Sequence, residues 1–168
     1  MRFSPASLTL PRRLLREGAL LRPARLGECA ALTALSLAAK AVWGYSEAFL
    51  QTTRADMEVT PARLAEEAVL LIEAAGRPQA LVAIGEEDDE TAEITMAFTA
   101  PGAQGRGYGA LLMQEALSIC KAAGCQQVRV VSDPNAEGFY LRQGFTRIGL
   151  HQSEYLADRQ LPLLEIRF

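Results

Sequence analysis

Three alternate glycines, Gly105, Gly107 and Gly109, lie directly before an apolar run with helical periodicity that starts at Ala110. Glycine adopts positive φ angles without steric cost and leaves room for a ligand against the main chain. The first N–H groups of a helix have no internal partner, and the helix dipole places partial positive charge there. The loop therefore predicts a binding site for a phosphate group.

The size and charge of the chain limit the functions to consider. Its 168 residues, 49% of them hydrophobic, fit one domain with a substantial core. With 17 basic and 20 acidic residues the net charge is −3, so no overall basic field attracts nucleic acid. No apolar run approaches the roughly 18 residues that a membrane span requires. We therefore expect neither nucleic acid nor a membrane as a partner.

No residue pattern points to a metal. Cys29, Cys120 and Cys125 form neither a CxxC pair nor a ligand spacing with the single histidine, His151. Residues 86–90 are consecutive acids, which favours a solvated hairpin tip over a metal site. Cysteines without a disulfide pattern are typical of reduced thiols, so we expect a cytoplasmic protein without a metal.

The N-terminal segment is basic. Residues 1–25 contain six arginines and a single acid, Glu17. Such a start is typical of a transit peptide or of a basic tail that contacts acidic partners. A short extension is the simpler interpretation, and we assign residues 1–18 to it and residues 19–168 to one domain.

Hydrophobic periodicity and turn residues predict an α/β (α+β) chain with a mixed central sheet of about seven strands flanked by about four helices. Strands are predicted at residues 19–24, 68–73, 79–85, 91–99, 126–132, 145–150 and 161–168. Helices are predicted at residues 27–42, from the capping Thr60, from the glycine loop to about residue 123, and from the capping Asp133 to Gly144. Between the first two helices, residues 43–49 form an aromatic segment on a loop that leads into a helix.

Two common phosphate-binding motifs fit the loop poorly. It has the glycine spacing of a P-loop, but Tyr108 and Gly109 occupy the positions that require Lys and Ser or Thr. Residues 105–110 match a degenerate dinucleotide fingerprint, with Asp133 as a candidate ribose-binding acid. Because Asp133 lies farther away than the usual ~20 residues, and little chain follows it, dinucleotide binding is the weaker alternative.

The loop more closely resembles the coenzyme A pyrophosphate loop of the GNAT N-acetyltransferase family, in the QxxGxG pattern of residues 104–109. Residues 133–145 resemble the second signature of the family, an Asn-x-x…Phe-Tyr helix that closes with Gly-Phe. The order of predicted elements over residues 19–168 is also similar to that of the family. Residues 43–45 and 161–165 resemble a bacterial subgroup whose substrate is unassigned.

The resemblance implies that acetyl-CoA is the co-substrate and that backbone N–H groups of the loop hold its pyrophosphate. It also implies that the strand 93–99 splays from the next strand and that the pantetheine arm pairs with its free edge. Arg106 adds charge to a phosphate or is simply solvated, and Asn135 bonds the pantetheine arm or serves locally at its helix start. The expected cofactor-binding residues are Phe98, Thr99, Gln104, Gly105, Arg106, Gly107, Tyr108, Gly109, Ala110 and Asn135.

The implied reaction is direct attack of a primary amine on the acetyl thioester, an acyltransferase activity. Tyr140 is the expected acid, because a phenol with a pKa of about 10 stays protonated and can donate to the leaving thiolate; core packing is its alternative role. Glu93 is the only carboxylate on the central strand and is the candidate base. Many family members carry a base nearer the middle of this strand, where Thr95 and Met96 lie here, so a water relay is the alternative.

The acceptor is expected near the aromatic segment. Trp43, Tyr45 and Phe49 would wall a pocket for a small, partly apolar amine, or pack in the core. Glu47 is the candidate contact for the acceptor's cation, with a solvated helix face as its alternative. Small amines, amino acids, antibiotics and peptides all stay open as acceptors.

A second class of function is a non-catalytic acyl-CoA-binding or sensor module on the same fold. Tyr140 favours catalysis, whereas the missing mid-strand base favours the module. The resemblance further implies pairing of C-terminal strands between subunits, so a homodimer is one expected arrangement.

Overall fold

The computed structural model describes residues 2–168 and contains one eight-stranded sheet. The spatial order is β1-β2-β3-β4-β5-β6-β8-β7, and β5 with β6 is the only parallel pair in it. The strands are β1 (Arg13–Leu14), β2 (Leu20–Pro23), β3 (Ala68–Ala74), β4 (Arg77–Glu86), β5 (Thr91–Thr99), β6 (Gln127–Val131), β7 (Thr146–Gln152) and β8 (Gln160–Arg167). The predicted mixed α/β class is confirmed, with one strand more than expected.

Five α-helices flank the sheet: α1 (Cys29–Ala41), α2 (Glu47–Thr52), α3 (Pro61–Glu66), α4 (Tyr108–Ala122) and α5 (Glu137–Arg142). The predicted cap at Thr60 is confirmed, since its hydroxyl accepts the Arg63 N–H at 3.1 Å. The helix after the aromatic segment begins earlier than predicted, because Ser46 caps it by accepting the Phe49 N–H at 3.2 Å. None of these helices is long and apolar enough to cross a membrane.

Side chains of the central strands alternate between two cores, because successive residues of a strand point to opposite faces. Leu71 of β3 packs in one core with Leu32 and Leu35 of α1. Its neighbour Leu70 packs in the other core with Leu112 of α4. The two long helices therefore lie on opposite faces of the sheet.

The acidic run forms the turn between β4 and β5, as predicted. The Asp88 carboxylate accepts the backbone N–H groups of Glu90 and Thr91, each at 2.8 Å, and Glu87 pairs with Arg129 at 2.7 Å. No group of three His, Cys, Asp or Glu residues in the described chain is arranged to hold a metal ion.

Residues 2–18, within the predicted N-terminal extension, contribute to the core and to the sheet. Phe3 is fully buried in the core on the α4 face, and β1 pairs antiparallel with β2. Residues of the predicted extension therefore pack against the rest of the domain, and the division after residue 18 stays a prediction. One aromatic residue in an arginine-rich segment gives no periodic signal, so the sequence pattern did not reveal this contribution.

The sheet opens where β5 and β6 separate. They pair only over residues 91–93 and 127–129, although β5 continues to Thr99. Beyond that point β6 remains paired with β8, from Gln127 to Val131. Thr95 has no partner on β4, and such a bulge increases the local twist of a strand. The splayed strand that the family resemblance implied is thus present.

Candidate active site

A cavity of about 420 Å³ lies at the split between β5 and β6. Its wall combines both splayed strands with the last turn of α1 and with the loop that joins β7 to β8. The polar, charged and aromatic side chains that line it include Lys40, Trp43, Asp56, Arg63, Glu93, Phe98, Asp133, Tyr140, Tyr155 and Arg159. The cavity therefore collects side chains from segments far apart in the chain.

The glycine loop before α4 presents a row of backbone donors that the protein itself leaves unused. Gly105 and Gly107 both have φ of 78°, the left-handed conformation that side chains disfavour. Within residues 2–168, the N–H groups of residues 105–110 donate no backbone hydrogen bond, and the first helical bond runs from Leu111 to the Gly107 carbonyl at 3.0 Å. Together with the helix dipole, these donors suit an anion.

The three alternate glycines meet two different structural constraints, close packing at Gly109 and a left-handed backbone at Gly105 and Gly107. A Cβ on Gly109 would lie 3.4 Å from both the Phe139 ring and Thr99 Oγ1, so its absence lets α4 approach β5 and α5. Gly105 and Gly107 face open space, where their backbone angles and the approach of a ligand are the relevant constraints. Arg106 is exposed beside them.

The free edge of β5 is formed by Ala97 and Thr99. The Ala100 N–H donates to the Gln79 carbonyl of β4 at 2.8 Å. Because bonding alternates along an antiparallel pair, Phe98 also faces β4, and the backbone groups of Ala97 and Thr99 face the split. The geometry supports the expected backbone contact at Thr99 and adds Ala97. The side chain of Phe98 lines the cavity while its backbone groups face β4, and its expected role in binding the co-substrate stays a prediction.

Tyr140 reaches the cavity from α5. It is 5% exposed, and its ring packs edge-on against Phe139 and Phe145, with centroids 5.2 Å and 5.6 Å away. Every fully buried polar side-chain atom in residues 2–168 has a hydrogen-bond partner, and the Tyr140 hydroxyl has none there, so its oxygen opens into the cavity. Burial raises the pKa of Tyr140 well above its ordinary value. The hydroxyl therefore stays protonated and free to donate.

Asp133 organises a polar cluster at the start of the turn before α5. As predicted it caps this turn, accepting the Asn135 N–H at 2.9 Å. The Tyr45 hydroxyl lies 2.8 Å and 2.9 Å from its two carboxylate oxygens, and Arg159 donates to it at 3.0 Å. The Asn135 amide donates to Tyr45 and Asp133, each at 3.0 Å. Asn135 thus has the local partners of its alternative role, and its contact with pantetheine stays a prediction.

Two cations stack over the predicted aromatic segment. The Arg159 guanidinium carbon lies 5.0 Å from the Tyr45 ring centroid and 4.7 Å from that of Phe49. Lys40 Nζ lies 5.9 Å and 5.6 Å from the same centroids. Tyr45 and Phe49 therefore position cations at the cavity wall, and this arrangement is a form of cation–π contact.

The other two expected acceptor contacts differ in position. Trp43 lines the cavity, with its ring edge-on to Tyr45 at 6.5 Å. Glu47 is exposed at the start of α2, where it accepts a hydrogen bond from Gln51 at 2.9 Å, and it does not line the cavity. Glu47 therefore has the solvated position that was its alternative.

Glu93 lies where β5 and β6 separate, and it lines the cavity. Burial raises the pKa of its carboxyl, and the negative charges of Glu87 and Glu67 add to the effect. Nearby, Thr95 donates to Glu67 at 2.6 Å, and Arg63 pairs with Glu67 at 2.9 Å. A carboxylate with a raised pKa is a stronger base, which suits removal of a proton from an amine.

Sequence reasoning missed Lys40, Arg159, Asp56 and Tyr155 as cavity residues. The Tyr155 hydroxyl donates to Asp56 at 2.5 Å, across 99 residues of chain. Arg159 and Tyr45 are 114 residues apart. Only the fold brings these residues together, and a lysine in the last turn of a helix is an ordinary complement to the helix dipole.

The split sheet, the glycine loop and the Tyr140 helix have the arrangement that the resemblance to N-acetyltransferases implies. A model of the family described as "Acetyltransferase (GNAT) domain" matches residues 34–155, well over half of the chain. The chain belongs to this GNAT acetyltransferase family.

Solved structures of acetyltransferases share the fold. The PaiA N-acetyltransferase of Thermoplasma acidophilum, in complex with coenzyme A, is 15% identical with a TM-score of 0.73, over 89% of this chain and 99% of that one. A GNAT family acetyltransferase of Brucella melitensis, in complex with acetyl-CoA, is 20% identical with a TM-score of 0.65, over 89% of this chain and 88% of that one.

A curated relative matches a shorter segment. The mycothiol acetyltransferase of Beutenbergia cavernae is 36% identical over 67 residues, which are 38% of this chain and 23% of that protein. The match thus covers less than a quarter of the length of the relative.

Replacing Gly107 with alanine should lower the free energy of unfolding by about 1 kcal/mol, because alanine is strained at positive φ. Urea denaturation of the ligand-free protein measures this change. Gly102→Ala is the matched control: Gly102 has no positive φ and open space around it, so its change should stay within about 0.5 kcal/mol. Equal stability of the two variants would show that the left-handed conformation at Gly107 is not required.

Proposed function

We propose that this chain is an N-acetyltransferase that moves an acetyl group from acetyl-CoA to a primary amine of a small-molecule or peptide acceptor. The proposal rests on the unused N–H groups of residues 105–110 beside the open backbone edge at Ala97 and Thr99. The first feature suits a pyrophosphate, and the second suits the amide-bearing pantetheine arm. The coenzyme A and acetyl-CoA complexes among the structural relatives support the assignment.

The co-substrate would be held mainly by the main chain. Residues 104–110 would bind the pyrophosphate, with the exposed guanidinium of Arg106 available to a phosphate oxygen. The backbone of Thr99 and Ala97 would hydrogen-bond the pantetheine arm, with Asn135 near its path. Such donors, fixed by the fold, also stabilise the negative charge that develops on a thioester carbonyl under attack.

In the reaction, an acceptor ammonium first loses a proton to Glu93, which passes it to solvent. The amine nitrogen then forms a bond to the acetyl carbon, and the carbon–sulfur bond breaks as the electron pair returns to sulfur. Tyr140 donates its proton to the departing thiolate. The second proton lost from nitrogen restores the Tyr140 hydroxyl, so the products are an N-acetylated amine and free coenzyme A.

A cytoplasmic location fits this reaction. Cys29, Cys120 and Cys125 are free thiols, and Cys120 and Cys125 are buried. Free thiols are usual in a reducing compartment, which supports the proposal.

Acetyl-CoA at 100 times its Kd should stabilise the protein by ~2.7 kcal/mol, seen as a rise in melting temperature. Neither NADH nor ATP should produce a comparable rise, and Gly107→Ala should reduce the rise with acetyl-CoA more than Gly102→Ala does. A panel of amines then tests turnover, with release of free coenzyme A thiol as the readout.

The outcomes separate the candidate functions. No rise with acetyl-CoA would overturn the proposal, and a rise with NADH instead would favour a dinucleotide-binding protein. A rise with acetyl-CoA but no thiol release with any amine would favour the non-catalytic acyl-CoA-binding module.

Tyr140→Phe should lower kcat by about 100-fold, because a positioned general acid contributes at least that factor. Binding of acetyl-CoA should be unchanged, since the ring packing with Phe139 and Phe145 is kept. Thr52→Val removes a hydroxyl from an exposed residue of α2 outside the cavity and should retain wild-type kcat. Steady-state kinetics on the wild type and the two variants measures kcat. A Tyr140→Phe enzyme with wild-type kcat would exclude Tyr140 as the acid.

The rate should also depend on the ionisation of Glu93. Only the carboxylate accepts a proton, so kcat/KM should fall as pH decreases through the raised pKa of Glu93, above the ordinary glutamate value of about 4.3. Glu93→Gln should remove this limb of the pH profile and lower the plateau by about 100-fold. Glu47→Gln, at an exposed position on α2, should leave the profile intact. An unchanged profile in Glu93→Gln would favour a water relay.

A further inference from the structure

Lys40 differs from the other fixed cations of the cavity wall. Arg63 pairs with Glu67 at 2.9 Å, and Arg159 bonds Asp133 at 3.0 Å. The Lys40 ammonium has no hydrogen-bond acceptor in residues 2–168; its closest carboxylate oxygen there is Oδ2 of Asp133, at 4.0 Å. Its side chain is only 15% exposed.

Asp133 cannot serve Lys40 better without giving up its present partners. The Asp133 Oδ2 atom already has the Tyr45 hydroxyl at 2.8 Å and the Arg159 guanidinium at 3.0 Å. An ammonium carries three N–H donors, and burial without acceptors is costly for a charge. Burial accordingly lowers the pKa of Lys40. An acceptor that entered the cavity would satisfy donors that the protein leaves open.

The charges around Lys40 select an anion. Lys40 and Arg159 lie side by side over the Tyr45 and Phe49 rings, and Asp133 is the one carboxylate bonded within this cluster. Asp56 also acts on Lys40, but it is exposed to solvent and bonded to Tyr155. Two cations facing one buried carboxylate leave a positive end to the cavity.

Lys40 lies on the side of the sheet opposite the glycine loop. It follows the buried residues of α1, which pack on the face that contains Leu71, whereas α4 packs on the face that contains Leu70. The proposed pyrophosphate site at the start of α4 and the Lys40 ammonium are therefore associated with opposite faces of the sheet. The cavity reaches Lys40 through the split, so an anion bound there belongs to the acceptor.

We propose that the acceptor carries a carboxylate as well as the reacting amine, and that Lys40 binds this carboxylate while the amine lies toward Glu93 and the thioester. The substrate class is an amino acid or a similarly small amine with an acidic group. This inference rests on the proposed acetyltransferase function and specifies its acceptor.

Matched acceptors test the proposal on the wild-type chain. L-amino acids and their carboxamides, for example leucine and leucinamide, have nearly the same size and shape, and only the acids carry the negative charge. The acids should show kcat/KM about 10- to 100-fold above the amides, the range expected for a hydrogen bond to a charged group. The amine of a carboxamide is less basic and so is more often unprotonated, which means that a preference for the acid must come from the protein.

Variants of Lys40 assign the preference to this residue. Lys40→Met should lower kcat/KM for the acids by about 10- to 100-fold and leave the amides unchanged, whereas Lys40→Arg should retain part of the preference. Lys121→Met, on the exposed side of α4, removes a lysine outside the cavity and should change neither. The melting shift with acetyl-CoA should be the same in all four proteins.

The outcomes distinguish this inference from the proposed function. Turnover of acids and amides alike, or a Lys40→Met enzyme that keeps the preference, overturns the carboxylate site and leaves the acetyltransferase intact. A Lys40→Met protein that loses the acetyl-CoA melting shift assigns Lys40 to the co-substrate and overturns the inference. If no acceptor turns over, melting of the coenzyme A-bound protein decides: acids that raise the melting temperature more than amides support the site, and equal shifts, or none, overturn it.

Discussion

The separation of β5 from β6 is the constraint on which the candidate active site depends. Where two neighbouring strands stop pairing, the backbone N–H and C=O groups along the facing edges lose their partners. Such groups cost free energy when they are buried without another partner. Here β6 stays paired with β8, while β5 stays paired with β4, so each strand has one satisfied edge. The remaining edges face each other across the cavity, and a ligand with amide groups can complete them.

The two helices at the split supply different chemistry because they lie on different faces. The glycine loop and the first turn of α4 bring backbone N–H donors that no backbone acceptor of residues 2–168 occupies. α1 brings the ammonium of Lys40, held in place by the aromatic rings of Tyr45 and Phe49. The sheet between them would therefore separate the proposed phosphate-binding side from the side proposed to recognise the acceptor, with the thioester at the opening between β5 and β6.

Much of the fold was predictable, because its signals are local. The glycine loop, the caps at Thr60 and Asp133 and the apolar runs of β3 to β6 each depend on neighbouring residues, and the strand bounds agree within a few positions. The cation cluster was not predictable, since Lys40, Asp133 and Arg159 meet only through the sheet topology. The direction of the Phe98 backbone was not predictable either, because the edge that a residue faces depends on the pairing register.

The proposed phosphate site is formed by backbone N–H groups, so it constrains the side chains of the loop only weakly during sequence divergence. Any residue except proline supplies the same N–H group, so positions 104, 106 and 108 can change their side chains while the proposed phosphate donors persist. The conformational demand is concentrated at Gly105 and Gly107, which adopt left-handed angles. The fold can therefore be kept while most residues differ, which is consistent with structural neighbours that share it at only 15–20% identity.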